Sequence, residues 1–147
     1  NLSFNYNDPK YKKFNDGTYA AVFGTPDASG KEIPRSPKES AVLGLGFQHP
    51  VGSGDWDFYA RGDATYTGSS YTWAINLAET GDATRVNLRL GLRNDSYDLS
   101  VWANNLTDDD TLTAIRRFTD FWTFGQGFWA GLPLPREIGV TLRYRFN

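Results

Sequence analysis

The chain has 147 residues, enough for one ordinary domain, with 16% aromatics, fifteen Gly, no Cys and no Met. The missing Cys excludes a disulfide framework and thiolate metal sites, and a net charge of −2 argues against a nucleic-acid binder, which carries a basic stripe. No run of 18 apolar residues exists, so no helix can cross a membrane; the negative mean hydropathy leaves strands open, because a spanning strand commits only alternate residues to lipid.

In chain order, Asn1 to Tyr6 reads as the tail of a strand, with Leu2, Phe4 and Tyr6 on one face. Asp8 to Pro37 is a long polar loop with room for a short hairpin around Tyr19 to Phe23, and its Lys10, Lys12 and Lys13 read as a solvated face. A second strand spans Glu39 to Phe47, with Ala41, Leu43, Leu45 and Phe47 on one side. A short turn from His49 to Gly54 leads into a third strand, where Trp56, Phe58, Ala60, Gly62, Ala64 and Tyr66 oppose Asp57, Tyr59, Arg61, Asp63 and Thr65. His49, the only histidine, has no neighbouring His or Cys to share a metal.

Gly68 to Thr84 is a second long loop. The fourth strand, Arg85 to Arg93, sets Val86, Leu88, Leu90 and Leu92 against Arg85, Asn87, Arg89, Gly91 and Arg93. After a tight turn near Asp95-Ser96, the fifth strand sets Tyr97, Leu99, Val101 and Ala103 against Asp98, Ser100, Trp102 and Asn104. Pairing Asn94 with Tyr97 puts Arg93 opposite Asp98, Leu92 opposite Leu99, and Arg89 opposite Trp102 within reach of a cation–π contact. A third long loop, Thr107 to Pro135, carries Phe118, Phe121, Trp122, Phe124, Phe128 and Trp129. The last strand alternates Ile138, Val140, Leu142, Tyr144 and Phe146 with Gly139, Thr141, Arg143 and Arg145.

A soluble sandwich strand can alternate in this way too, so the whole pattern has to decide. Strands of about nine to eleven residues match the length that crosses a bilayer at a tilt. The connections run long, short, long, short, long, as in outer-membrane barrels with short periplasmic turns and long outer loops. Phe47, Trp56, Phe58, Tyr97, Tyr144 and Phe146 share the apolar face and lie near the short-turn ends, as an interfacial girdle requires. Arg61, Asp63, Arg89, Arg93, Arg143 and Arg145 fall on the opposite face, which suits a wet lumen better than a dry core. The expected fold is all-β, about five to six antiparallel strands of a transmembrane β-barrel.

Three segments resemble the TonB-dependent receptors of the Gram-negative outer membrane. Val101-Trp102-Ala103-Asn104-Asn105-Leu106-Thr107-Asp108 resembles the penultimate-strand motif, and Pro135 through Phe146 resembles the closing strand. Ile33-Pro34-Arg35-Ser36-Pro37-Lys38-Glu39-Ser40 is similar to the Pro-containing return from an outer loop into a descending strand. One departure is Asn147 after Phe146, where many members end on the aromatic. The resemblance implies a 22-stranded barrel plugged by an N-terminal domain. On that reading residues 1–147 are its C-terminal quarter, with the plug and the segment that contacts TonB outside them. The absence of Met, an initiator included, also implies a fragment or a processed chain.

The implied function is uptake of a scarce small-molecule nutrient: a ferric siderophore, a cobalamin-like compound or a carbohydrate. The alternative is a soluble β-sandwich that binds carbohydrate or serves a structural role. No nucleophile–base pair, phosphate-binding Gly loop or metal cluster is visible, so neither an enzyme nor a cofactor or metal site is expected. Asp108-Asp109-Asp110 lacks the further spaced ligands of a calcium loop. Candidate ligand contacts are Arg116, Arg117, Trp122, Phe124 and Trp129 in the third loop, with Tyr71 and Trp73 in the second. Trp122 and Trp129 are the expected apolar platform, and Arg116 and Arg117 favour an anionic ligand. Tyr144 and Phe146 are, by resemblance, the signal read by the barrel-assembly machinery; outer-membrane lipid and the TonB complex are the other expected partners.

Overall fold

In the structure, a computed structural model, residues 1–146 are described, and Asn147 lies outside them. Eight strands and one helix follow in the order β1 (Leu2–Tyr6), α1 (Gly17–Phe23), β2 (Glu39–Val51), β3 (Trp56–Thr67), β4 (Ala83–Arg93), β5 (Tyr97–Asn104), β6 (Ala114–Thr119), β7 (Gln126–Gly131) and β8 (Glu137–Tyr144). Six of the strands form one antiparallel sheet in the order β1-β2-β3-β4-β5-β8, while β6 and β7 pair separately. Strand order follows chain order apart from that hairpin, so the sheet is an open meander.

The register fixes the faces. Leu2 pairs with Leu43, Leu43 with Ala64, and Ala64 with Val86. Leu90 pairs with Val101 and Val101 with Val140, so one apolar face runs unbroken from β1 to β8. The other face holds Arg61 opposite Arg89, Asp57 opposite Arg93, and Asp98 between Arg93 and Arg143. The expected pairs Arg93–Asp98, Leu92–Leu99 and Arg89–Trp102 are all present. Arg145 lies just past β8, where its N–H donates to the Ser96 carbonyl (2.8 Å) and carries the ladder one step further.

No second layer covers the apolar face among the described residues: large side chains stay exposed along it on β1, β2, β4, β5 and β8. Leu45, Val140 and Leu142 remain 64%, 69% and 69% exposed, and among the described residues the buried apolar ones are Ala28, Ile75, Ala83 and Ala103. Each uncovered Leu or Val forgoes roughly 1.5–3 kcal/mol of burial, so this face demands an apolar neighbour that the sheet does not supply. A sandwich would supply one from its own second sheet. A bilayer supplies it from outside.

The dimensions agree. The twelve residues of β3 extend roughly 40 Å, or roughly 30 Å across a membrane at a 35–45° tilt. At the short-turn rim the apolar-face aromatics touch in sequence: Phe47–Phe58 (6.2 Å), Trp56–Tyr97 (6.5 Å), Tyr97–Tyr144 (4.9 Å) and Tyr144–Phe146 (4.7 Å). Tyr6 and Tyr66 lie on the same face at the long-connection ends of β1 and β3. From Trp56 to Tyr66 is ten residues, which at that tilt is roughly 25 Å, the height of an apolar band between two girdles.

Four expectations need correction. Tyr19 to Phe23 is not a hairpin but part of α1, because Asp16 and Gly24 cap it at either end. The Asp16 carboxylate accepts from the Tyr19 N–H (2.8 Å), Gly24 takes a left-handed φ of 74°, and the Tyr19 and Phe23 rings meet at 4.5 Å one turn apart. The second strand does not stop at Phe47; it runs on through His49 and Pro50 to Val51, with the turn at Gly52 to Asp55. Thr107 to Pro135 is not a plain loop but carries the β6–β7 hairpin. Finally, Arg89 is not stacked on Trp102. That indole lies across Gly139 on the far side of β5 and donates Nε1–H to Thr141 (3.1 Å), and the cation–π contact on this face is Arg93 over Tyr59 (5.3 Å).

Candidate ligand site

All three long connections emerge at one rim, and each is ordered by its own backbone. The first climbs as a ladder, Lys10 bridging to Glu32 and Asn15 to Asp27, with α1 at its top. The second folds back on itself through the Tyr71–Glu79 bridge and reciprocal bonds between Ser70 and Thr80. The third is the β6–β7 hairpin, whose turn is held by Asp120. Its carboxylate accepts from the backbone N–H groups of Trp122 (2.9 Å) and Thr123 (2.7 Å), and from the Thr123 hydroxyl. These bonds, the Thr123 amide foremost, hold the Asp120 carboxyl below the usual carboxylate range.

The connections are also tied to one another. The Asn76 carboxamide accepts from the Glu32 N–H (2.7 Å) and donates to the Glu32 carbonyl (3.0 Å), clamping the second connection to the first. The Arg35 N–H donates to the Tyr71 carbonyl (2.8 Å). Asn105 joins the start and the end of the third connection: its Nδ2 donates to the carbonyls of Asp109 and Leu134, both at 3.0 Å, and its Oδ1 accepts from the Asp109 N–H. The Asp109 carboxylate accepts from the N–H of Thr84 at the base of β4 and from that of Thr111. The Asp108 carboxylate accepts from the Arg136 N–H (2.8 Å) just before β8. Asn105 through Asp109 is therefore a clamp at the rim, which accounts physically for Asn and Asp in the run Asn104-Asn105-Leu106-Thr107-Asp108.

Two of the concavities between the connections bring expected contact residues of the second and third connections together. In one, of ≈ 220 Å³, Val22 of α1, Trp73, Ile75 and Leu77 of the second connection, and Arg117 and Phe128 of the hairpin come together. The Arg117 guanidinium lies over the Trp73 ring at 5.0 Å. In the other, of ≈ 270 Å³, Tyr71 and Arg116 meet Arg35, Pro37 and Thr80. Residues 126–131 pair with 114–119 so that Arg117 and Phe128 are cross-strand partners, as are Arg116 and Trp129.

The expected contacts therefore separate into three groups. Trp73 and Arg117 share the first cavity and Tyr71 and Arg116 the second. Trp122, Phe124 and Trp129 line neither; they are exposed, Trp122 most at 89%, and Trp129 makes an edge contact with Phe118 at 5.6 Å. Sequence reasoning missed Val22, Ile75 and Leu77. The apolar cluster Trp73-Ala74-Ile75-Asn76-Leu77-Ala78 inside an otherwise polar loop was the available signal.

On the polar face of the sheet, Arg61 grips Asp63 through two hydrogen bonds (3.0 and 2.6 Å). Arg93 donates to Gln48 (2.7 Å), Gln48 to Asp57 (2.8 Å), and the Tyr59 hydroxyl to Asp98 (2.8 Å). Tyr59, Arg61, Asp63, Asn87, Arg89 and Trp102 border a further open concavity of ≈ 430 Å³. Ions and amides thus share one face and bare aliphatics the other, the alternation characteristic of transmembrane-barrel strands.

The profile of the family described as TonB dependent receptor-like, beta-barrel matches residues 1–106. The chain belongs to that family. No curated protein and no solved structure matches it. TonB-dependent receptor barrels sit in the Gram-negative outer membrane and work as receptors and transporters rather than as enzymes. The match ends at Leu106, within the Asn105–Asp109 clamp, so the hairpin and β8 lie beyond the matched span. The ladder from Tyr97–Tyr144 to Asn104–Glu137 joins β8 to the matched strands.

Proposed function

We propose that this chain is the C-terminal quarter of an outer-membrane receptor barrel that captures a scarce small-molecule nutrient for TonB-driven import. The ligand would be a ferric siderophore, a cobalamin-like compound or a carbohydrate. The observation that carries this reading is the asymmetry of the two rims. Three long connections, ordered and mutually clamped, converge at one rim around cavities lined by Trp73, Arg117, Tyr71 and Arg116. At the other rim the strands are joined by the tight turns at Gly52–Asp55 and Asn94–Ser96. Capture belongs to the elaborate rim, and the energised step belongs to the plug, which in these receptors precedes the barrel and contacts the TonB complex.

The apolar face would meet outer-membrane lipid, the polar face would line the lumen around the plug, and Tyr144 and Phe146 would present the terminal aromatic signal to the barrel-assembly machinery. The test is nutrient-limited growth of cells whose only uptake route is the full-length receptor. Growth should require both the receptor and a functional TonB complex. Growth that persists without TonB would overturn the import reading.

A further inference from the structure

Resting on that receptor reading, we infer that the cavity between α1, the second connection and the hairpin takes a planar or cyclic apolar group of the ligand and rejects a hydroxylated sugar ring. Ile75, 4% exposed, closes the floor, while Val22, Leu77 and Phe128 stand half-exposed around the mouth and Trp73 forms a wall. At ≈ 220 Å³ the cavity is smaller than the roughly 300 Å³ at which pockets for whole drug-sized molecules begin. It therefore fits one ring-sized group of a larger ligand.

Polarity decides what kind of ring. Thr72, the hydroxyl at the wall, donates to the Ala78 carbonyl (3.2 Å). The Asn76 carboxamide is turned away from the cavity onto Glu32 and the Trp73 carbonyl. Arg117 offers donors only and already lies on the Trp73 face. A sugar ring would bring several hydroxyls to a lining whose one side-chain acceptor is the Thr72 oxygen, at roughly 1–3 kcal/mol for each one buried without a partner. An aromatic or cyclic aliphatic group brings none and gains contact with Trp73, Ile75, Leu77 and Phe128. The site is also organised before the ligand arrives, because the Asn76–Glu32 clamp and the Arg117–Trp73 contact hold its three walls together.

The experiment uses the full-length receptor in lipid nanodiscs and two probes: benzyl alcohol, an uncharged aromatic ring, and methyl α-glucoside, a hydroxylated ring. Saturation-transfer NMR reads contact of each probe with the protein. Val22→Trp fills the cavity from α1 and Leu77→Trp fills it from the second connection, and both positions are exposed enough to spare folding. Partition of benzyl alcohol into lipid is common to wild type and variants, so the site-specific part is their difference. The inference predicts that this difference falls at least fivefold in both variants, with no variant-sensitive signal from the glucoside. A benzyl alcohol signal indifferent to both variants, or a glucoside signal that they abolish, overturns it. Heat-modifiable migration of the same samples separates the two levels: a wild-type protein that never forms a barrel sinks the receptor reading, whereas a folded barrel without the ring contact sinks only this inference.

Discussion

Asn105→Ala isolates the clamp at the long-connection rim. Asn105 is 4% exposed and sits at φ 48°, a left-handed conformation that Asn tolerates better than Ala. Its side chain makes three hydrogen bonds, to the Asp109 carbonyl, the Leu134 carbonyl and the Asp109 N–H. At about 1 kcal/mol net for each, with a further ~1 kcal/mol for Ala at positive φ, the gross loss is about 4 kcal/mol. Water reaching the rim can resolvate part of this, which leaves about 3 kcal/mol, or roughly a 150-fold rise in local opening. The assay is hydrogen exchange in the full-length receptor, read at the Asp109 amide. Asn105→Gly relieves the φ strain while losing every bond. The expected order of opening is Ala, then Gly, then wild type. The strands themselves should exchange as before, since their ladders do not use Asn105. An Asp109 amide that exchanges within threefold of wild type in Asn105→Ala would refute the clamp.

The turn of the β6–β7 hairpin should loosen in acid. The folded pKa of Asp120 lies below the unfolded value of about 3.9, so its contribution is complete above about pH 5 and is lost as pH falls through the depressed folded value. Asp120→Asn should show weaker turn protection at neutral pH without that acid-dependent loss, read by hydrogen exchange at Thr123. Gly139→Val would drive a side chain into the Trp102 ring and break its bond to Thr141, at about 1–3 kcal/mol, and should lower the heat-resistant barrel fraction on gels. Phe146→Ala removes the ring that meets Tyr144 edge-on, and should reduce folded yield while leaving ligand affinity of the folded fraction unchanged. Equal yield would count against an assembly role.

The sheet was legible because its evidence repeats. Period-two alternation across successive strands, together with a turn that keeps both faces in phase, leaves one register for Arg93–Asp98 and its neighbours. The rim was harder to read. At α1 the cap residues Asp16 and Gly24 were present, but a seven-residue helix is too short to show a hydrophobic period. The β6–β7 pairing was hidden because Arg116-Arg117 and Gly127-Phe128-Trp129 do not alternate apolar with polar. The lining of the candidate cavities was half legible for a related reason. Residue type picks out Trp and Arg as ligand-competent, yet which of them converge depends on long-range ties such as Asn76 to Glu32, 44 positions apart. Trp122 is more conspicuous in the sequence than Val22, but the turn that Asp120 organises carries it away from both cavities.

On the receptor reading, the uncovered aliphatic face of the sheet meets lipid and the charged face meets water. Spin labels placed one at a time along β4 of the full-length receptor, from Arg85 to Arg93, test it through collision with oxygen and with a water-soluble nickel chelate. Strict alternation is expected, with oxygen contact highest at Val86, Leu88, Leu90 and Leu92 and lowest at Asn87, Arg89 and Gly91. Labels at Leu88 and Leu90 that are shielded from oxygen and chelate alike, as in a protein core, would contradict it.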